Sequence, residues 1–300
     1  MFATTLTPAA RAWLQTTTWA RVLSMFERAC NLVNSEGEIL ALVTYERGLN
    51  PFAVLLTSID FAQLGDLKAG DMVNVREERL EIGDWRLEWG EAKIWNPVPD
   101  WEAVREFLGE RGEVLDELLA VARLEAPEGS LLDLTPQPLA RLLTRKNASG
   151  EGELRQEAFF KRARGGAEAL VTGLRDGKRE QCLEGARLLA GVGGGLTPAG
   201  DDFIVGVLLA SWAGGQTQGL PLQEIAEAVA PLTTTLSAAY VRAAARGECA
   251  IYWHRLFEAM VSKYDWSAEI RDLVNVGHTS GADALAGFVA TRIWRGERRL

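Results

Sequence analysis

The rhythm of apolar and polar positions changes once along the chain. From Trp19 to Trp95 apolar residues come in short runs or in alternation, the period of strands. Val22–Phe26, Ile39–Val43 and Ala53–Leu56 are compact apolar runs, bounded by the turn-forming stretches Asn34–Gly37 and Gly48–Pro51. Val73–Val75, Leu80–Ile82 and Trp85–Trp89 alternate apolar with polar residues, and Gly83–Asp84 separates the last two. No helix of crossover length separates these strands, so the pattern predicts an antiparallel barrel or sandwich rather than a parallel sheet.

Beyond Asn96–Asp100 the period becomes helical. Two prolines stiffen that stretch and Asp100 can cap the next helix. Helix-like spacing predicts helices over Trp101–Ala122, Pro138–Thr144, Glu153–Leu174, Glu180–Ala190, Pro198–Trp212, Leu222–Ala245, Ile251–Lys263, Ser267–Val274 and Asp283–Trp294. The expected fold is α+β: a β-rich domain over residues 1–97, then a mainly helical domain over residues 98–300.

Composition narrows the function classes. With 47% hydrophobic and 24% charged residues, the chain can bury a large core. A net charge of -9 argues against a phosphate-neutralising surface as the main function, so no nucleic acid partner is expected. Cys30, Cys182 and Cys249 are far apart and form no CxxC pair, which suggests neither a disulfide framework nor a zinc site. The N-terminus has no basic region followed by an apolar run, and the most apolar segment, Phe203–Gly214, falls short of the ~20 residues that span a bilayer. These features point to the cytoplasm and to no membrane partner.

The chemistry concentrates in Gly191–Phe203, where a glycine tract meets a helix start with two acids. Thr197 is a good N-cap and Pro198 suits the first helical position. The N–H groups of Gly193, Gly194, Gly195 and Thr197, with Gly200 just inside the helix, suit a phosphate, a carboxylate or an oxyanion. The tract is neither a P-loop, lacking Gly-Lys-Ser/Thr, nor GxGxxG, because Leu196 stands where the last glycine belongs. Asp201 and Asp202 are adjacent and diverge by roughly 100° on a helix. One can face a pocket and bind a divalent metal such as Mg2+, with Asp283 or water completing the shell. Equally, both can simply stabilise the first turn.

A shorter echo lies near the C-terminus. Gly200-Asp201-Asp202 with Gly206 shares the spacing G-x-D-x-x-x-G with Gly281-Ala282-Asp283 and Gly287. Gly195-Leu196-Thr197 precedes one copy and Gly277-His278-Thr279 the other, with the register off by one residue. Two helix starts with small faces could converge on one pocket. There His278 could act as acid or base, and Thr279 and Ser280 could donate hydrogen bonds to an anion. The structural alternative is a helix capped by Ser280 with Asp283 completing a capping box. His254, between Trp253 and Arg255, reads as a structural histidine, and Arg145-Lys146-Asn147 reads as a solvated helix end or a second approach to an anion.

The Gly-Leu-Thr-Pro-Ala-Gly-Asp-Asp segment within Gly193–Phe203 resembles the signature of the AllH-like family, a bacterial domain of formerly unknown function associated with a subunit of oxamate carbamoyltransferase. Val22–Leu32 and Gly277–Asp283 are similar to further segments of that family. The resemblance implies carbamoyl transfer between carbamoyl phosphate and oxamate, with oxalurate and phosphate as the other pair, within purine catabolism and alongside other protein subunits. On that reading Gly193–Thr197 hold a phosphate or carboxylate and His278 assists proton transfer. Asp201, Asp202 or Asp283 then positions an amide, a metal or the histidine. The competing reading is a noncatalytic assembly or regulatory subunit whose loops pack against partners.

Overall fold

The computed structural model describes residues 2–57, 67–111, 114–135, 151–215, 217–262 and 265–296. Contacts divide the chain into two compact units. One comprises residues 1–99 with 248–254, the other residues 100–247 with 255–300.

Among the described residues the first unit is one curled sheet of nine strands with a short helix against it. The strands are β1 (Ala3–Leu6), β2 (Trp19–Phe26), β3 (Ala29–Asn34), β4 (Ile39–Val43), β5 (Ala53–Leu56), β6 (Met72–Arg76), β7 (Arg79–Ile82), β8 (Trp85–Glu88) and β9 (Lys93–Ile94). Their spatial order is β8-β7-β6-β2-β3-β4-β5-β1-β9. A bridge between Phe2 and Glu88 brings the start of β1 against the far edge, so the sheet curls into a half-barrel. Two pairs, β4–β5 and β1–β9, are parallel, which makes the sheet mixed. Alternation does its expected work in β6, where Val73 and Val75 point inward and Met72, Asn74 and Arg76 outward. Leu6, Leu14, Val22, Leu32, Leu40, Leu42, Val54, Leu80 and Leu87 meet in the core.

Helix α1 (Pro8–Thr16) closes that core. Thr7 accepts from the Ala10 N–H at 3.1 Å and Pro8 occupies the first turn, so the sequence carries a start signal although the apolar stretch is short. The Trp13 indole N–H donates to the Glu38 carbonyl at 3.1 Å. His254 belongs to this unit: it is buried, its Nε2 lies 3.1 Å from the Pro97 carbonyl, and its ring packs on Trp95.

The second unit is helical: α2 (Trp101–Glu110), α3 (Val114–Glu125), α4 (Glu151–Asp176), α5 (Arg179–Leu189), α6 (Ala199–Ala213), α7 (Leu222–Val229), α8 (Thr235–Ala245), α9 (Ile251–Ser262), α10 (Ser267–Val274) and α11 (Ser280–Gly296). The first turn of α9, up to His254, counts with the other unit. Two expected long helices are each divided. Trp101–Ala122 becomes α2 and α3, with the weak helix former Gly112 between them in the sequence. Leu222–Ala245 becomes α7 and α8 around a 3-10 turn at Ala230–Leu232, because Pro231 has no N–H to continue the ladder and Thr234 starts a new helix by accepting from the Ser237 N–H at 3.0 Å. The helix expected over Pro138–Thr144, and Arg145-Lys146-Asn147, lie outside the described residues.

Helix α6 runs through the centre of this unit. Phe203, Ile204, Val207, Leu208, Leu209 and Ala210 are all buried, as an element apolar around its whole circumference must be. No helix among the described residues is long and apolar enough to cross a membrane.

Candidate functional site

Helices α6 and α11 touch backbone to backbone. A Cβ on Gly206 would overlap the Ala284 carbonyl oxygen and lie 2.7 Å from the Phe288 nitrogen. A Cβ on Gly287 would overlap the Phe203 carbonyl oxygen and lie 3.1 Å from the Val207 nitrogen. Each glycine meets the residues three before and one after the other glycine, so the contact is reciprocal.

The same reciprocity extends into the loops. Val192 N–H donates to Leu189 O at 2.9 Å and Gly200 N–H to Val192 O at 2.8 Å; Val276 N–H donates to Leu273 O and Gly281 N–H to Val276 O, both at 3.1 Å. Gly200 leaves room for the Leu189 carbonyl, and Gly281 for the Leu273 carbonyl. Thus α5–loop–α6 and α10–loop–α11 are two copies of one unit, and the short sequence echo is its visible part. The bonding pattern shifts the expected loop register: the counterpart of Gly277 is Gly193, one residue after the bonded valine, and not Gly195. Both take a left-handed backbone, with φ of +118° at Gly193 and +68° at Gly277. The first copy has the longer loop.

The two helix starts come together. Thr197 Oγ1 and Ser280 Oγ lie 2.9 Å apart. Thr197 therefore does not cap its own helix as its position suggested; Pro198 stands at the cap and α6 begins at Ala199. The hydroxyl is used across the seam instead. Gly193, Gly194 and Gly195 are exposed, and among the described residues their N–H groups meet no acceptor. They present donors to solvent beside the N-terminus of α6, which carries the positive end of the helix dipole.

The three aspartates differ in their surroundings. Asp201 is fully buried and saturated: Oδ1 accepts from the Gly191 N–H at 3.0 Å, and Oδ2 accepts from the hydroxyls of Thr233 and, at 3.0 Å, Ser237. Burial nevertheless raises its pKa, against the pull of those three donors. Asp202 is buried with Oδ2 lacking any partner, and the Ser280 and Thr197 hydroxyls nearby pull its pKa down. Burial first, then the Asp283 and Asp201 charges, push it well above the usual carboxylate range. Asp283 is fully buried; its Oδ1 accepts from the Leu131 N–H at 2.6 Å and its Oδ2 has no partner. Burial lifts its pKa to about 6, against the Leu131 N–H and the Thr279 hydroxyl.

Asp202, Asp283, Thr197, Thr279, Ser280 and the glycines thus belong to one neighbourhood. His278 lies exposed on the second loop beside it. Among the described residues no three His, Cys, Asp or Glu side chains are grouped to hold a metal ion. All three cysteines are buried and none is in a disulfide, and burial pushes the Cys30 thiol up to about 12. Sequence reading missed the partners of the acids. Thr233, Ser237 and the Leu131 N–H are distant in sequence from the carboxylates they bond, and no spacing rule connects them.

A curled β unit and a helical unit built around paired glycine-loop helix starts define the class. The chain belongs to the AllH family: residues 189–292 match the family model described as oxamate carbamoyltransferase subunit AllH, and residues 3–94 match the AllH family N-terminal domain. The first match contains both loops, α6 and most of α11. No solved structure matches the chain.

Proposed function

We propose that the seam between α6 and α11 binds small anions and takes part in carbamoyl transfer between carbamoyl phosphate and oxamate. The observation that supports this best is the bridge between Thr197 and Ser280, which joins an exposed run of N–H donors to two carboxylates with unpartnered oxygens. The family name is that of a subunit of an enzyme with this activity, and it implies protein partners.

The chemistry fits the donors present. In the direction of carbamoyl phosphate formation, an oxygen of hydrogen phosphate bonds to the carbamoyl carbon of oxalurate. The bond from that carbon to the oxamate nitrogen breaks, and the nitrogen leaves with the proton that the phosphate gave up. On this reading the N–H groups of Gly193, Gly194 and Gly195 hold the phosphate, and Gly200 lets the helix start pack closely behind them. Thr279 and Ser280 orient the carboxylate end of oxamate. His278 relays the proton, and Asp202 and Asp283 position the amide or a metal ion. The place of action would be the cytoplasm, in purine catabolism.

The test is carbamoyl phosphate formation from oxalurate and phosphate, by the chain alone and with its partner subunits. Loss of activity in Asp202→Ala and His278→Ala, together with loss of phosphate protection against thermal unfolding, is the expected result. A second reading, favoured by the word subunit in the family name, is a noncatalytic assembly or regulatory role. Activity that needs the partners and ignores both substitutions would establish it instead.

A further inference from the structure

Asp202 and Asp283 occupy equivalent places in the two copies, each two residues after the glycine that opens its helix. Both carboxylates are more than nine-tenths buried, and each has one oxygen, Oδ2, with no hydrogen-bond partner. They are close enough for the Asp283 charge to act on Asp202. Among the described residues no lysine, arginine or histidine forms an ion pair with either. Buried carboxylates are paired, protonated or bound to a metal. Here the pairing is missing.

We propose that Asp202 and Asp283 together hold one hard divalent cation at the seam of α6 and α11, with their two unpartnered Oδ2 atoms as ligands. Asp201, the nearer neighbour of Asp202 in sequence, is not part of this site, because its oxygens are taken by Gly191, Thr233 and Ser237. The donor set is all oxygen, which selects Mg2+ or Mn2+ over zinc. Two carboxylates are fewer ligands than a dedicated cage supplies. They match the habit of Mg2+, which keeps several waters and takes one or two carboxylates plus the phosphate of its substrate.

The glycine loop supplies the reason for a cation rather than a proton. A phosphate dianion held by Gly193–Gly195 would stand beside two like charges, and a divalent ion between them turns that repulsion into attraction. The preference for a cation over a proton rests on the anion-binding reading above; the two buried, unpartnered oxygens do not.

Mn2+ added to the full chain, followed by the loss of the free-ion signal in electron paramagnetic resonance, measures the site directly. Saturable uptake of one Mn2+, displaced by Mg2+ and weakened at least about tenfold in both Asp202→Asn and Asp283→Asn, is expected. Glu227→Gln, at an exposed ion pair with Arg242, leaves it unchanged. Should either Asn variant fail to fold, the native chain decides: Mg2+ raises its unfolding temperature where K+ of equal ionic strength does not. No Mn2+ uptake by the native chain, or uptake unaltered in both folded Asn variants, overturns the proposal. Mn2+ uptake without phosphate protection sustains it while removing the anion-loop reading, and phosphate protection without Mn2+ uptake does the reverse.

Discussion

Gly206 of α6 and Gly287 of α11 face each other across a contact with no room for a side chain on either, since a methyl on one would overlap a backbone carbonyl of the other helix. The obstacle is backbone, which cannot swing aside as a flexible side chain can. Gly206→Ala and Gly287→Ala should each cost about 3 kcal/mol, the upper part of the usual overpacking range. At roughly 2–4 °C per kcal/mol for a unit of this size, calorimetry should record Tm lower by about 6–12 °C. An unchanged Tm would mean that the helices can part without penalty, and the seam would then not be rigid enough to align two loops.

The loop glycines separate backbone strain from site occlusion. Gly193 and Gly195 both have positive φ, whereas Gly194 does not, and a Cβ on Gly194 meets nothing within 4 Å. A Cβ on Gly193 would lie 2.7 Å from the Ala199 nitrogen, at the first turn of α6. Gly195→Ala should cost about 1–2 kcal/mol from its left-handed backbone alone. Gly193→Ala should lose more stability than that, since its methyl also meets the Ala199 nitrogen, and, in addition, nearly all phosphate protection, because the methyl covers the helix start. Gly194→Ala should keep both. Phosphate titrations followed by thermal unfolding of the three variants check the order, and equal phosphate responses in Gly193→Ala and Gly194→Ala would remove the anion from this loop.

The cross-loop pair of Thr197 and Ser280 should show thermodynamic coupling. Thr197→Val and Ser280→Ala each remove one hydroxyl, and the double variant removes both without leaving either unpaired toward the other. A net hydrogen bond contributes about 1 kcal/mol. The double-mutant cycle should therefore give a coupling of about 0.5–1.5 kcal/mol from urea unfolding. Additive single effects would show that the two loops meet only in passing.

What could be read from the sequence, and what could not, depends on the range of the interactions. Ile39–Val43 and Ser267–Val274 were legible to the residue, because apolar period and flanking polar residues are local signals. The echo of Gly200 and Asp202 in Gly281 and Asp283 pointed to two helix starts before their meeting could be seen. Strand β1 and helix α1 escaped the pattern because each is short, although Thr7 and Pro8 carried a start signal. The parallel pairing of β4 with β5 was equally hidden, since direction depends on how the chain returns and not on what its strands contain. The unequal loops obscured the true register of Gly193 with Gly277, and only the hydrogen bonds of Val192 and Val276 reveal it. The division of labour between Asp201 and Asp202 was illegible for the same reason: adjacent identical residues differ only in the distant groups that reach them.

That division gives the sharpest contrast between a structural acid and a functional one. Asp201 satisfies the Gly191 N–H and the hydroxyls of Thr233 and Ser237, tying the start of the loop to the segment that leads into α8. In Asp201→Ala three buried or partly buried donors lose their acceptor, and the expected loss is about 3 kcal/mol, given the 1–3 kcal/mol that each unsatisfied group can cost. Asp202 has the opposite balance in metal-free buffer. Its Oδ2 is buried without a donor, and the Asp283 charge opposes its ionisation. Asp202→Asn removes a buried acid and places an amide donor in that neighbourhood, so it should leave stability unchanged or raise it by about 1 kcal/mol, the usual signature of a residue kept for function at some expense of stability. Urea unfolding of both variants in chelator-treated buffer makes the comparison. If Asp202→Asn is destabilised as strongly as Asp201→Ala, both aspartates are structural, and the first turn of α6 holds no residue reserved for chemistry.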